Sequence, residues 1–295
     1  MNILITGGAG FIGTHLYQHL KDKHNIKRID NFKTSLKTKG VIPMDLSNLS
    51  REEISFIEDV LKETDVVFHF ASSIGVDLIE KDPKGTLLNS FNINNNLFPL
   101  FEKYKPKVIY ASSSEVYGSR DTPMKETDDL IIGSPQNSMR WGYATQKLMS
   151  EFLIKSYSFP YTIVRFFNVT GKGQRGDYGM VLPRFIQSSK KGGVLTVYGD
   201  GEQKRSFCDV RDAVNVLELL LTEMDGEILN IGNDQNITTI KELSTKIVIT
   251  TGKGNVVLKP TERPVDIQNR VPNIDKMKTI YTPKYSIEDI IKSML

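Results

Sequence analysis

The stretch Asn2-Ile3-Leu4-Ile5-Thr6-Gly7-Gly8-Ala9-Gly10-Phe11-Ile12-Gly13 decides the fold. A short apolar run, Asn2–Thr6, reads as a strand, and a helical pattern follows over Phe11–Lys21. Between them both Gly7-x-x-Gly10-x-x-Gly13 and Gly8-x-Gly10-x-x-Gly13 are present. A tight strand-to-helix turn needs positive φ, and a backbone without Cβ atoms lets a pyrophosphate come close. The helix N-terminus then offers unpaired N–H groups and a partial positive charge. Gly7, Gly10, Phe11, Ile12 and Gly13 are therefore read as a dinucleotide cradle, a reading that the flanking strand and helix support.

Asp30 closes the next apolar run, 17 residues after Gly13. A carboxylate there accepts hydrogen bonds from ribose hydroxyls and repels a 2′-phosphate, which favours NAD over NADP. Arg28 and Lys33 lie close enough to weaken that preference. Asn31 continues the same loop, and Asp45-Leu46, closing the third run, can flank the adenine by the same geometry.

The rhythm continues outward. Strands are expected at Ile26–Asp30, Val41–Asp45, Asp65–Phe70, Lys107–Ser112 and Tyr161–Phe166. Helices are expected at Ser50–Leu61, Thr86–Lys103 and Tyr143–Tyr157. Strand–helix–strand alternation implies parallel strands with helical crossovers. The fold class is α/β, a Rossmann-type doubly wound parallel sheet with a smaller C-terminal substrate lobe. The expected division is 1–170 for nucleotide binding and 171–295 for the lobe, some of whose elements may return to the main sheet. In the lobe, Leu195–Tyr198 and Ile228–Ile231 read as strands and Val210–Leu221 as a helix. Thr239 with Glu242 forms a capping box, and Ser286 caps a last helix.

Composition narrows the function. The chain has 295 residues, 39% hydrophobic and 25% charged, with a net charge of +3. So small a charge excess, with no basic run, gives no reason to expect nucleic acid or an acidic membrane as partner. The single cysteine, Cys208, excludes an internal disulfide and a cysteine zinc cage. No run approaches the ~18 apolar residues of a membrane span. There is no signal-peptide pattern, so a cytoplasmic location is expected. The four histidines lack metal-ligand spacing apart from His15/His19 on one helix, and no metal is expected.

The chemistry lies further along. Strand Lys107–Ser112 leads into Ser113-Ser114-Glu115-Val116-Tyr117-Gly118, and thirty residues after Ser113 come Tyr143 and Lys147, four apart. That spacing puts phenol and ammonium on one helix face. The cation should lower the phenol from its ordinary value of about 10. Such a phenolate can take an alcohol proton while hydride leaves the same carbon. A serine hydroxyl at the end of this strand can hold the alcohol oxygen. Trp141 is equally a pocket wall or a core residue.

Together these motifs resemble the extended short-chain dehydrogenase/reductases of the nucleotide-sugar epimerase/dehydratase family. Thr6 to Gly13, His69-Phe70-Ala71, Ser112 to Gly118, Tyr143-x-x-x-Lys147, Arg165-Phe166-Phe167-Asn168 and Val197-Tyr198-Gly199-Asp200-Gly201 occur in the family's order. The resemblance implies Ser113, Tyr143 and Lys147 as the catalytic set and Ala71 and Asn89 as cofactor contacts. It implies Ser114, Asn168, Arg205, Arg263 and Asp266 on the substrate. Two phosphates call for forked cationic donors, which supports the arginines. It also implies NAD as cofactor, a nucleotide-diphosphosugar substrate and a homodimer. Ser113-Ser114-Glu115 resembles the form found in decarboxylases and GDP-mannose dehydratases, and Arg140-Trp141 a pattern of decarboxylase-like members. This favours decarboxylase- or dehydratase-type chemistry at C5 after C4 oxidation, with Glu115 as a fourth catalytic residue that removes the C5 proton or orients water. Plain 4-epimerisation stays open, as does a non-catalytic NAD-binding sensor.

Overall fold

The computed structural model describes residues 1–73, 78, 81–176, 180–261 and 267–295. Arg263 and Asp266 lie outside the described residues. The first half runs β1 (Asn2–Thr6), α1 (Phe11–Leu20), β2 (Asn25–Asp30), β3 (Ile42–Pro43), α2 (Arg51–Leu61), β4 (Val66–His69), α3 (Pro83–Tyr104), β5 (Lys107–Ser113), a 3-10 turn (Ser114–Tyr117), α4 (Trp141–Ser156) and β6 (Tyr161–Phe166). Then come β7 (Val169–Thr170), α5 (Val181–Lys190), β8 (Val194–Tyr198), β9 (Lys204–Ser206), β10 (Cys208–Asp209), α6 (Val210–Leu219) and β11 (Glu227–Ile231). The chain ends with β12 (Ile237–Thr239), α7 (Ile240–Thr251), β13 (Asn255–Lys259), β14 (Asn269–Arg270), α8 (Asp275–Lys278) and α9 (Ile287–Met294).

The main sheet is parallel throughout, in the order β11-β6-β5-β4-β1-β2-β3. Both faces are covered, so β4 is four buried residues in a row. On one face Leu16 and Leu20 of α1 pack with Val210, Ala213 and Leu217 of α6. On the other lie Ile57 of α2, Ile93, Leu97 and Phe101 of α3, and Ile154 of α4. The lobe has its own core of Leu182 and Phe185 from α5, Val197 from β8, Leu243 from α7 and Ile290 from α9. Ser50, Thr239 and Ser286 all cap their helices, each in a complete capping box. No helix among the described residues is long and apolar enough to cross a membrane.

Two expectations shift. Val41–Asp45 contributes only Ile42–Pro43 to the sheet; Pro43 has no N–H for the ladder and sits on the edge strand, where that is tolerated. Helix α3 starts at Pro83, not Thr86, because Asp82 caps it through Gly85 N and Pro83 is preset for the first turn. The strand at 227–231, in the segment whose partial return to the main sheet the sequence leaves open, lies beside β6 in parallel register from Glu227↔Thr162 to Ile231↔Phe166. With α6 it belongs to the main body. The described part of the chain after residue 170 is thus shared between sheet and lobe.

Between the C-terminal ends of the central strands and the lobe lies a cleft of about 1100 Å³, extending from the glycine turn to Arg205 and Arg270. Ligands of open parallel sheets bind at this end of the strands.

Candidate active site

At one end of the cleft the chain turns tightly from β1 into α1. Gly7 has φ +68°, and a Cβ there would lie 2.8 Å from the Ala71 nitrogen. A Cβ on Gly13 would lie 2.6 Å from the Gly7 oxygen, so this glycine lets α1 pack onto the turn. No side chain caps α1. The uncapped helix start, lined by Gly7, Gly10, Phe11, Ile12 and Gly13, fits a diphosphate.

Asp30 ties this turn to the next loop. Its Oδ2 accepts from Ala9 N at 3.0 Å, and its Oδ1 accepts from Phe32 N at 2.8 Å and Ser35 Oγ at 2.9 Å. Asn31 Oδ1 accepts from Lys33 N. Lys33 Nζ meets Asp45 at 2.7 Å. Against the opposing pull of burial, Lys33 and Ser47 hold the Asp45 carboxyl down at about 2. Asp45 therefore occupies one of the two cations that weakened the NAD preference; the other, Arg28, donates to the Lys39 carbonyl and stacks 3.6 Å from the Tyr17 ring centre. The Leu46 side chain is in the hydrophobic core, and its carbonyl accepts from Asn96. Thr34, Ser35, Leu36 and Thr38 line the cleft, a wall that no motif had marked. Ala71 N donates to Thr6 Oγ1, and Asn89 Nδ2 donates to Ser73 Oγ at 2.9 Å.

The middle of the cleft holds Ser113, Tyr143 and Lys147. Ser113 ends β5 with its hydroxyl placed to favour the ionised form of Tyr143, which stands in the first turn of α4. Lys147 is buried, donates to the Ala111 carbonyl at 2.7 Å and lies 5.9 Å from the Tyr143 ring centre. Burial lowers the ammonium to about 7 and pushes the Tyr143 phenol up. This reverses the sequence expectation of a lowered phenol, because desolvation outweighs the Ser113 hydroxyl and the Arg270 charge that pull the other way. Beneath them His69 is clamped between Thr6 Oγ1 at 2.7 Å and Asn94 Oδ1 at 3.0 Å, and burial lowers it to about 4.

The far end is cationic. Glu115 is buried, with Oε1 2.9 Å from Arg140 Nη2 and Oε2 3.2 Å from Arg140 Nε. Arg270 Nη2 closes on the same carboxylate at 2.5 Å. Burial alone would raise this carboxyl, but Arg270 and then Arg140 hold it at about 2. Arg205 is anchored on the carbonyls of Lys204 and Gln268. Arg140, Arg205 and Arg270 thus line the cleft together with the Glu115 carboxylate, forked donors of the kind that an anionic ligand calls for. Asn168, with φ +34°, donates to the Ser206 carbonyl and lines the same wall. Ser114, expected on the substrate, is instead buried in the 3-10 turn away from the cleft lining. Arg270 was not singled out by sequence; it lies in a two-residue strand beside β9 with no motif around it. Trp141 packs with Ala144 and Ile267 in a small core. No cluster of metal-ligating residues occurs among the described residues.

Residues 3–232 match the model of the NAD dependent epimerase/dehydratase family. The chain belongs to this family. Among curated relatives of this chain is UDP-N-acetyl-alpha-D-glucosaminuronate decarboxylase of Bacillus cytotoxicus, 36% identical over an alignment covering 99% of this chain and 96% of the relative. Among solved structures, a UDP-N-acetylglucosamine 4-epimerase of Methanobrevibacter ruminantium is 27% identical with a TM-score of 0.86, covering 99% of this chain and 97% of the other. A UDP-glucose 4-epimerase of Thermus thermophilus in complex with NAD is 26% identical with the same TM-score, covering 100% and 97%.

Proposed function

We propose that this chain is an NAD-dependent nucleotide-diphosphosugar decarboxylase that oxidises C4 of a uronate and releases its carboxylate as carbon dioxide. The observation that carries the reading is the Glu115 carboxylate held between Arg140 and Arg270. When bound, NAD accepts the C4 hydride and later returns it. Ser113 holds the C4 oxygen, and Tyr143 takes the hydroxyl proton. Lys147, together with the positive charge of the oxidised nicotinamide, offsets the desolvation that otherwise keeps the phenol protonated.

Once C4 is a ketone, the sugar carboxylate is a β-keto acid. Its C5–C6 bond breaks, carbon dioxide leaves, and the electron pair passes to the C4 oxygen as an enolate. A proton then adds at C5. No base is needed at C5 for this route. Dehydration, by contrast, starts with removal of the C5 proton, and a carboxylate held at about 2 is a weak base. Glu115 is therefore assigned to orienting the two guanidiniums rather than to proton abstraction. The decarboxylase relative at 36% identity supports the same choice. The 4-epimerases of matching fold support the second reading, hydride return to either face of C4.

Product mass decides between them. Incubation with NAD and UDP-glucuronate, UDP-N-acetylglucosaminuronate or UDP-glucose should give loss of carbon dioxide from a uronate. An unchanged mass with inverted C4 would establish epimerisation. Tyr143→Phe should cut turnover by about 10²–10⁴-fold while NAD is retained, whereas a sensor would keep its function.

We further propose that two copies pair along α3 and α4. These helices pack together and leave Leu88, Phe91, Met149 and Phe152 exposed, Phe152 by 69%.

A further inference from the structure

Helix α4 carries a third group in line with the catalytic pair. Tyr143, Lys147 and Glu151 recur every four residues, so all three share one face. Glu151 is buried and has no place in the chemistry above. It is tightly engaged. Its Oε1 accepts from Ser112 Oγ and from Arg165 Nε at 3.1 Å, and its Oε2 accepts from Arg165 Nη2 at 2.6 Å. Arg165 sits directly across from Ser112 in the β5–β6 register. It also donates to the Glu126 carbonyl and lies 4.7 Å from the centre of the Tyr117 ring.

Ser112 is the residue between Ala111, whose carbonyl holds the Lys147 ammonium, and Ser113, whose hydroxyl favours the ionised form of Tyr143. One carboxylate thus pins α4 to the three-residue segment that carries both partners of the catalytic pair. A merely structural strut would not need a charge. A buried ion pair is on average no more stabilising than apolar residues of similar volume. What an apolar pair does not supply is a negative charge one turn from a desolvated ammonium.

We propose that Glu151 is a positioning residue for catalysis: held by Ser112 and Arg165, it keeps Lys147 charged and aligned beneath Tyr143. This rests on the reading of Tyr143 and Lys147 as the proton-handling pair. The groups facing Lys147 are His69 on β4, Tyr110 on β5, and Tyr143 and Glu151 on α4, with Arg165 on β6 behind Glu151. Of these, Glu151 is the one anionic group that favours the charged form of Lys147, beside the ring faces of Tyr110 and Tyr143, while burial opposes it.

The test follows the lysine directly. In the full chain labelled with 13C-lysine, the Lys147 side-chain resonance, assigned with Lys147→Met, should titrate near its lowered value. Glu151→Gln should move that midpoint down by about one pH unit. The alkaline limb of kcat should move to lower pH with it, while KM for the sugar nucleotide changes less than about twofold. Because Glu151→Gln leaves a buried guanidinium unpaired, the double variant Glu151→Gln/Arg165→Met is measured alongside. It should recover thermal stability yet keep the lowered midpoint. A midpoint unmoved in Glu151→Gln, or restored to the wild-type value in the double variant, overturns the proposal. If the wild-type chain converts no sugar nucleotide, the functional reading fails, and the lysine midpoints still decide the role of Glu151.

Discussion

The imidazole of His69 shows how far the site depends on dry packing. It is fully buried, bonded on both nitrogens, and lowered to about 4 from an ordinary 6.5. A histidine whose folded value is depressed contributes stability above pH 6.5, and that contribution is lost as pH falls through 4. The shift corresponds to about 3 kcal/mol. Urea unfolding between pH 7 and 4 should therefore show a steeper loss of stability for wild type than for His69→Gln; equal slopes would contradict it. Legibility at this scale followed chemistry. The glycine turn was readable because backbone geometry dictates residue type locally. So was Tyr143-x-x-x-Lys147, whose members share one helix. The partnership of Glu115 with Arg270 was not, because β14 brings Arg270 in from about half the chain away and no local pattern records that meeting. Lys147 at about 7 was equally hidden, since burial is a property of the folded neighbourhood.

Helices α3 and α4 belong to the next scale. They pack on each other, bury Leu97 and Ile154 against the sheet, and leave an apolar outer face. A charge on that face should break the proposed pairing while leaving the inner packing alone. Phe152→Glu should halve the molecular mass measured by light scattering, with an unchanged circular dichroism spectrum. A wild-type chain that is monomeric at micromolar concentration would remove the basis for the pairing. Element types were well marked in the sequence, and ends less so. Asp82-Pro83 is a good helix start overlooked in favour of Thr86, and Pro43 shortened a strand that its apolar neighbours suggested.

At the scale of the molecule, sequence grouping and spatial grouping part company. The strand 227–231 follows lobe elements in the chain, yet β11 completes the main sheet and α6 covers α1, a return that strand–helix alternation alone leaves open. A fragment ending at residue 170 therefore lacks the partner of β6 and leaves Leu16, Leu20 and Val164 without their cover. It should show no cooperative thermal transition and should bind apolar dyes. A sharp melt from the fragment would argue that the sheet closes on its own. The sequence did carry the fold class, since strand–helix alternation survives any ambiguity about which strand lies at the edge.

The repeated return of the backbone has a mechanical consequence. It passes between the two bodies after Thr170, between Phe207 and Cys208, after Ile231, before Ile274 and after Tyr281. A pair of bodies stitched at so many places has no single hinge to swing about. Sugar nucleotide must then be admitted by local rearrangement of the rim rather than by wide jaw-like opening, so scattering profiles with and without ligand should nearly superimpose.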